Sequence, residues 1–160
     1  MIITYHGESF VKIQHGDLMV ALNPKGINQV RIGGKDPFVI DGPGEYEVGG
    51  LKISANSSLD SGIFYGLNVD STQAILAKTS TIEKLQDMAN EAQVAILNVD
   101  SLLNEAIIAQ LEAKVIVLYG ERASEGLKAL GKQDLSPSKK ITVAREKLPQ
   151  EGETQIIWLG

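Results

Sequence analysis

Residues 39–50 read Val39-Ile40-Asp41-Gly42-Pro43-Gly44-Glu45-Tyr46-Glu47-Val48-Gly49-Gly50. Two short β-prone runs are separated here by Asp-Gly-Pro-Gly, a strong turn signal, and the second run ends in a Gly-Gly pair. Glycine supplies the positive φ that a tight hairpin turn requires, so the stretch predicts two strands with a turn after each. This spacing is typical of an antiparallel sheet.

The same pattern extends on both sides of this stretch, up to about residue 72. Short β-prone runs alternate with turn residues, and none of the runs has helical spacing. The predicted strands are Ile2–His6, Phe10–Gln14, Leu18–Leu22, Pro37–Ile40, Tyr46–Val48, Leu51–Ser54 and Ile63–Val69. This half of the chain is therefore predicted to be an antiparallel meander.

Beyond residue 72 the hydrophobic period changes from two to about 3.6. Ser80 and Glu83 have the spacing of a capping box, which predicts a helix that runs from Ser80 to about residue 91. A second helix is capped by Asp100 or Ser101, and a third, short helix ends at Gly131. The predicted strands of this half are Ala74–Lys78, Val94–Val99, Lys114–Tyr119, Lys140–Ala144 and Gln155–Leu159. The alternation predicts right-handed crossovers, with Val94–Val99 and Lys114–Tyr119 as buried neighbours.

Composition limits the class of protein. The 160 residues are predicted to form one domain, residues 1–160, of a cytoplasmic protein, because no long apolar stretch or signal-peptide pattern is present. With 15 basic and 20 acidic side chains the net charge is −5, which argues against binding to nucleic acid or to an anionic membrane. The lack of cysteine excludes disulfides, thiolate catalysis and iron–sulfur clusters.

An antiparallel half followed by strand–helix repeats can close as two packed sheets with helices outside, and several segments carry a family resemblance. Residues 3–13 and 18–24 resemble the opening hairpin and third strand of small metallo-β-lactamase-fold proteins related to ascorbate-phosphate lactonases. Residues 39–50 are the most specific match, and Gln93–Asp100, Ala113–Gly120 and Lys147–Pro149 follow in the family's order. The resemblance implies an α/β fold, a truncated form of the αββα two-sheet sandwich of the metallo-β-lactamase type.

The chemistry of that family depends on a His-x-His-x-Asp-His motif, two later histidines and a bridging aspartate, which together hold zinc-like cations. The resemblance places the first motif within residues 25–35, which contain neither histidine nor carboxylate. It places Leu59, before Asp60, at the next histidine, Lys78 at the bridging aspartate and Tyr119 at the last histidine. Since a lysine repels cations, the resemblance implies a degenerate member without the metal motif and without a cofactor.

The only two histidines of the sequence, His6 and His15, do not offer a substitute site. His6 shares a strand face with Glu8, but His15 lies at the far end of the next strand, so the two histidines cannot hold one ion together. We interpret His6 as a strand-end side chain and His15 as an exposed turn residue.

The sequence is therefore interpreted as a non-catalytic protein that acts as a binding or assembly module. The alternative is a small metal-dependent hydrolase with an atypical site at Glu8, Asn23 and Asp60, in the cleft that holds the metal in the family it resembles. Lys78 and Tyr119 complete the candidate cleft, and Lys78 beside the amides of the following helix start favours a small anion over a cation. The resemblance also implies that the segment after Pro24 is lost, which uncovers sheet edge or apolar surface that larger relatives cover. This loss predicts a homo-oligomer, most simply a two-fold dimer.

Overall fold

The structure is a computed structural model, and it describes residues 1–7, 10–22, 28–58, 62–84, 91–103 and 105–160. The strands of these residues form two sheets, which we name sheet A and sheet B. Sheet A contains β1 Ile2–Tyr5, β2 Val11–His15, β3 Leu18–Leu22, β4 Asn28–Ile32, β5 Phe38–Ile40 and β12 Lys140–Thr142. Sheet B contains β6 Gly44–Val48, β7 Leu51–Ser58, β8 Gly62–Val69, β9 Thr72–Lys78, β10 Val94–Asn98, β11 Val115–Tyr119 and β13 Gln155–Trp158.

The order of the strands confirms both predicted halves. Sheet A runs β12-β1-β2-β3-β4-β5 with every pair antiparallel, and sheet B runs β13-β11-β10-β9-β8-β7-β6. Within sheet B, β6 to β9 continue the meander, whereas β9, β10, β11 and β13 are parallel. Every residue of β10 and of β11 is buried, and the two strands are direct neighbours, as their unbroken apolar sequences predict.

Of the four described helices, the first three pack against sheet B. The four are a 3₁₀ helix Thr79–Lys84, α1 Glu105–Gln110, α2 Ala123–Ala129 and a second 3₁₀ helix Arg145–Lys147. Side chains from the first of these and from α2, among them Ile82 and Leu127, join the outward residues Leu97 and Ile116 of sheet B in one hydrophobic cluster. No helix of the described residues is long and apolar enough to span a membrane.

A second hydrophobic cluster fills the space between the sheets. It includes Ile3, Ile13 and Val20 from sheet A and Ile53, Ile96 and Val117 from sheet B. On one side of the sandwich the two sheets are also joined through the backbone. Ser138 donates its amide to the Trp158 carbonyl at 3.0 Å and accepts from the Gly160 amide at 3.0 Å, while Tyr5 donates to the Lys139 carbonyl at 2.9 Å.

Two sequence predictions require correction. Strand β4, Asn28–Ile32, is absent from the predicted strands. It contains only two apolar residues, Val30 and Ile32, and of these only Val30 is buried, so its hydrophobic pattern is too short to indicate a strand. The predicted helix from Ser80 to about residue 91 is, within the described residues, the 3₁₀ helix Thr79–Lys84, and residues 85–90 lie outside the described part of the chain. The Ser80 amide at its start donates to Asp100, which follows β10, and the Glu83 side chain of the predicted capping box lies outside the described residues.

Candidate functional site

The carboxyl ends of three parallel strands bring two of the candidate residues into one row. Lys78 of β9 pairs with Asn98 of β10, and Asn98 pairs with Tyr119 of β11. Two residues earlier on the same strands, Leu76, Ile96 and Val117 belong to the cluster between the sheets. Because side chains alternate along a strand, the row Lys78–Asn98–Tyr119 faces the interior of the sandwich at its end.

Tyr119 is the most enclosed member of this row, with 1% of its surface exposed. Its ring meets the ring of Tyr5 in sheet A edge-on, with 6.1 Å between the ring centroids. Burial raises the pKa of the Tyr119 phenol well above its ordinary value of 10.0, while a hydrogen bond with the Asn98 side chain acts in the opposite direction. The phenol therefore stays protonated at neutral pH.

The raised pKa of Tyr119 makes alkaline stability a test of its burial. The unfolded chain releases this proton near the ordinary pKa of 10.0 and the folded chain retains it to higher pH, so the free energy of unfolding falls as the pH rises above that value. Urea unfolding at about pH 8 and about pH 11 measures the fall. Tyr119→Phe cannot ionise and should lose less stability over this interval. An equal loss in the parent and the variant would show that the phenol is not buried.

The row does not fit the metal that the resemblance attaches to this position. Zinc-like cations take imidazole, carboxylate or thiolate ligands, whereas Lys78, Asn98 and Tyr119 offer an ammonium group, an amide and a protonated phenol. In the described parts of the chain, no three histidine, aspartate or glutamate side chains converge in a way that could hold an ion. We therefore derive no chemistry through a metal.

The remaining candidates fall into two groups. Glu8, Asn23 and Asp60 lie outside the described residues. The histidines are described, and they lie at opposite ends of the hairpin formed by β1 and β2, as the sequence predicts. The His6 ring contacts Phe10 with 5.3 Å between centroids, and Nε2 of the exposed His15 lies 3.8 Å from Oδ2 of Asp70.

A network of hydrogen bonds lies beside the row and joins the ends of β9 and β10. Thr79, of which 4% is exposed, places its hydroxyl oxygen 3.1 Å from the Asp100 amide and 3.0 Å from the Ser101 amide, and accepts from both. The same hydroxyl lies 3.1 Å from Oδ1 of Asp100, to which it donates. Arg122 donates to the Asp100 carbonyl at 3.3 Å and pairs with Glu125 at 2.8 Å. We call Thr79, Ser80, Asp100 and Ser101 the β9–β10 clasp.

The clasp corrects the predicted capping of the helices. Asp100 accepts a hydrogen bond from the Ser80 amide at 2.9 Å and another from the Ser80 hydroxyl at 2.8 Å. In a capping box the Glu83 carboxylate would accept this amide. Here the Asp100 carboxylate accepts it, and the Glu83 side chain lies outside the described residues. Asp100, one of the two residues predicted to cap the following helix, thus binds the start of the helix before it in the chain. Because the Ser80 amide already donates to Asp100, it is not available to an anion beside Lys78. The anion site therefore stays a prediction that rests on Lys78 alone.

Asn98 is the residue of the row that the sequence interpretation missed. It is the one polar residue in the apolar run Val94–Val99, and this break in the pattern was its signal. Gly120 next to Tyr119 has φ +98, and a Cβ there would lie 3.0 Å from Oδ1 of Asn98. The glycine thus lets the backbone pass close to the Asn98 amide.

No protein-family model matches the chain, and no curated protein matches it. A solved structure from Thermotoga maritima is similar, with a TM-score of 0.63 and 14% sequence identity over 99% of this chain and 97% of that chain. That protein is described as a proposed Zn-dependent hydrolase of the metallo-beta-lactamase superfamily. At this identity the similarity shows the fold alone. It confirms the two-sheet sandwich of the metallo-β-lactamase type.

Proposed function

We propose that the chain is a metal-free metallo-β-lactamase-fold protein, related to the small lactonase branch, that acts in the cytoplasm as a binding or assembly module and not as a hydrolase. The observation that carries the proposal is the burial of Tyr119 against Tyr5 of the opposite sheet. An aromatic ring thereby fills the end of the sandwich to which the resemblance assigns the last metal-binding histidine. Lys78 adds a positive charge at the position assigned to the bridging aspartate.

The alternative function is a metal-dependent hydrolase with an atypical site at Glu8, Asn23 and Asp60. It is supported by the fold that the chain shares with the Thermotoga maritima protein. A carboxylate pair with an amide oxygen is a ligand set that a hard cation accepts, so the alternative makes a distinct prediction about metal content.

Elemental analysis of protein purified without chelator separates the two functions. We expect far less than one zinc, manganese or iron per chain, and no change in melting temperature when EDTA is added, because the row supplies no ligands. About one metal per chain, together with a lower melting temperature in EDTA, would refute the proposal. In that event Glu8→Ala and Asp60→Ala should remove the metal, and Asp134→Ala, a matched exposed carboxylate, should not.

Self-association is part of the proposal, and one sheet edge supports it. At β5, the outermost strand of sheet A, Phe38 and Val39 are 43% and 45% exposed. An apolar edge of this kind is a surface to which a second copy can pair. At β6, the outermost strand of sheet B, Glu45 and Glu47 oppose such pairing because two copies would bring like charges together.

A further inference from the structure

The strand register of sheet A determines which of its side chains face outward, away from sheet B. Cross-strand partners share a face, so the side chains that alternate with the buried Ile3, Ile13 and Val20 all point away from sheet B. We define the outer face of sheet A by six of these side chains: the cations Lys12, Arg31 and Lys140 and the apolar Ile2, Met19 and Val39.

The six side chains are interspersed rather than segregated. Lys140 and Lys12 lie on either side of Thr4, about 10 Å apart across two strand spacings. In the neighbouring row, Met19 is the direct cross-strand partner of Arg31. Cations and apolar groups therefore share the outer face, with uncharged side chains such as Thr4 and Gln14 between them.

The outer face is positive although the chain is negative overall. The six strands of sheet A contain Lys12, Arg31 and Lys140 and no aspartate or glutamate, whereas the net charge of the chain is −5. Acidic side chains lie in the turns of this sheet, as Asp17 and Asp36 do, or on other elements, as Glu45 on β6 does. This segregation gives the outer face a local field that attracts negative groups.

The polarity of the face lies between that of a covered and that of a solvated sheet. The outward side of sheet B, which the helices cover, is apolar where they pack, with Leu97 and Ile116 buried. On sheet A, Ile2 and Met19 are half-buried and belong to neither of the two hydrophobic clusters in the described residues. Apolar groups bordered by charged ones are typical of a surface that a separate partner covers.

We propose that the outer face of sheet A docks an acidic amphipathic helix of a protein partner. The inference rests on the proposed function, since a binding module needs a docking surface. The helix would lie where helices lie on sheet B, with its apolar stripe on Ile2 and Met19 and its carboxylates near Lys12, Arg31 and Lys140. A second copy docked through the same face is disfavoured, because a two-fold axis would bring the same cations together.

The docking proposal is tested with a synthetic peptide of about 20 residues. The peptide has leucine at helical spacing and glutamate at the other positions. Its affinity for the full chain is measured by fluorescence anisotropy at low salt. The triple variant Lys12→Glu, Arg31→Glu, Lys140→Glu should weaken binding about tenfold or more. The matched triple variant Lys128→Glu, Lys132→Glu, Lys147→Glu makes the same charge change at exposed positions elsewhere and should bind as the parent does.

Four outcomes would overturn the docking proposal. In the first, the parent does not bind the peptide, and in the second, both triple variants weaken peptide binding equally. In the third, the parent binds a peptide with lysine in place of glutamate with equal affinity. In the fourth, the parent binds a single-stranded oligonucleotide more tightly than it binds the peptide. Sedimentation supplies a further check: a dimer of the parent that the face variant dissociates would identify a second copy as the occupant. Failure of the proposed function can be distinguished from failure of the docking proposal. A protein that holds one metal and still binds the peptide would refute only the proposal that the chain is metal-free.

Discussion

The variant Ile96→Asp is expected to lower the free energy of unfolding by about 3–5 kcal/mol. Ile96 is fully buried at the centre of β10, where it faces the space between the sheets. An aspartate there loses its hydration and meets no cation in the cluster, so it must either remain charged without a partner or take up a proton. Urea unfolding monitored by circular dichroism measures the change.

Ile116 provides the same test on the other side of sheet B. It is fully buried in the cluster beneath the helices, so Ile116→Asp should have a similar cost. Leu102→Asp is the control, because Leu102 is 82% exposed, and it should change stability by no more than about 0.5 kcal/mol. If the aspartate variants are too unstable to purify, Ile96→Ala and Ile116→Ala should each cost about 2–5 kcal/mol. Melting like that of the parent would contradict the burial of both strands.

The variant Thr79→Val should cost about 2 kcal/mol, although it conserves the shape of the side chain. The Thr79 hydroxyl accepts from two backbone amides, those of Asp100 and Ser101, and donates to the Asp100 carboxylate. Valine fills the same volume and leaves both amides without this acceptor, in a position that is largely closed to water. Loss of the clasp should therefore lower the unfolding free energy without a change in the cores.

Thr142→Val is the matched control for the clasp. Thr142 is exposed on β12, where a β-branched side chain suits the strand, so this substitution should change stability by no more than about 0.5 kcal/mol. Native-state hydrogen exchange adds a local readout, because the Asp100 and Ser101 amides should exchange faster in Thr79→Val than in the parent. Equal exchange in the two proteins would show that the Thr79 hydroxyl does not hold these amides.

Most strands could be predicted because their signals are local. Glycine at turns such as Gly16 and Gly49, both at positive φ, and the unbroken apolar runs of β10 and β11 each depend on a few adjacent residues. Strand β4 had no such signal, since it is held by pairing with β3 and β5 rather than by its own pattern. The acceptor at the start of the helix from Ser80 could not be predicted from capping-box spacing, because the Asp100 carboxylate that accepts the Ser80 amide lies twenty residues away in the sequence.

The candidate site could be predicted only in part, for the same reason. Because carboxyl ends of parallel strands share an edge, the positions of Lys78 and Tyr119 followed from the order of the strands. The contact between Tyr119 and Tyr5 did not, since it joins residues from different sheets that no sequence pattern relates. The clasp likewise depends on how two strand ends meet in space.

The backbone pairing that joins the two sheets has a consequence for synthesis on the ribosome. Ile2 pairs with Thr142, and the link between sheet A and sheet B runs through Ser138 and Gly160. At cellular translation rates β1 therefore waits on the order of ten seconds for its second neighbour, with one row of backbone donors and acceptors unpaired. During that interval a nascent chain exposes an edge that another nascent chain can capture. Cotranslational aggregation should therefore be most sensitive to delays before β12, Lys140–Thr142, is made.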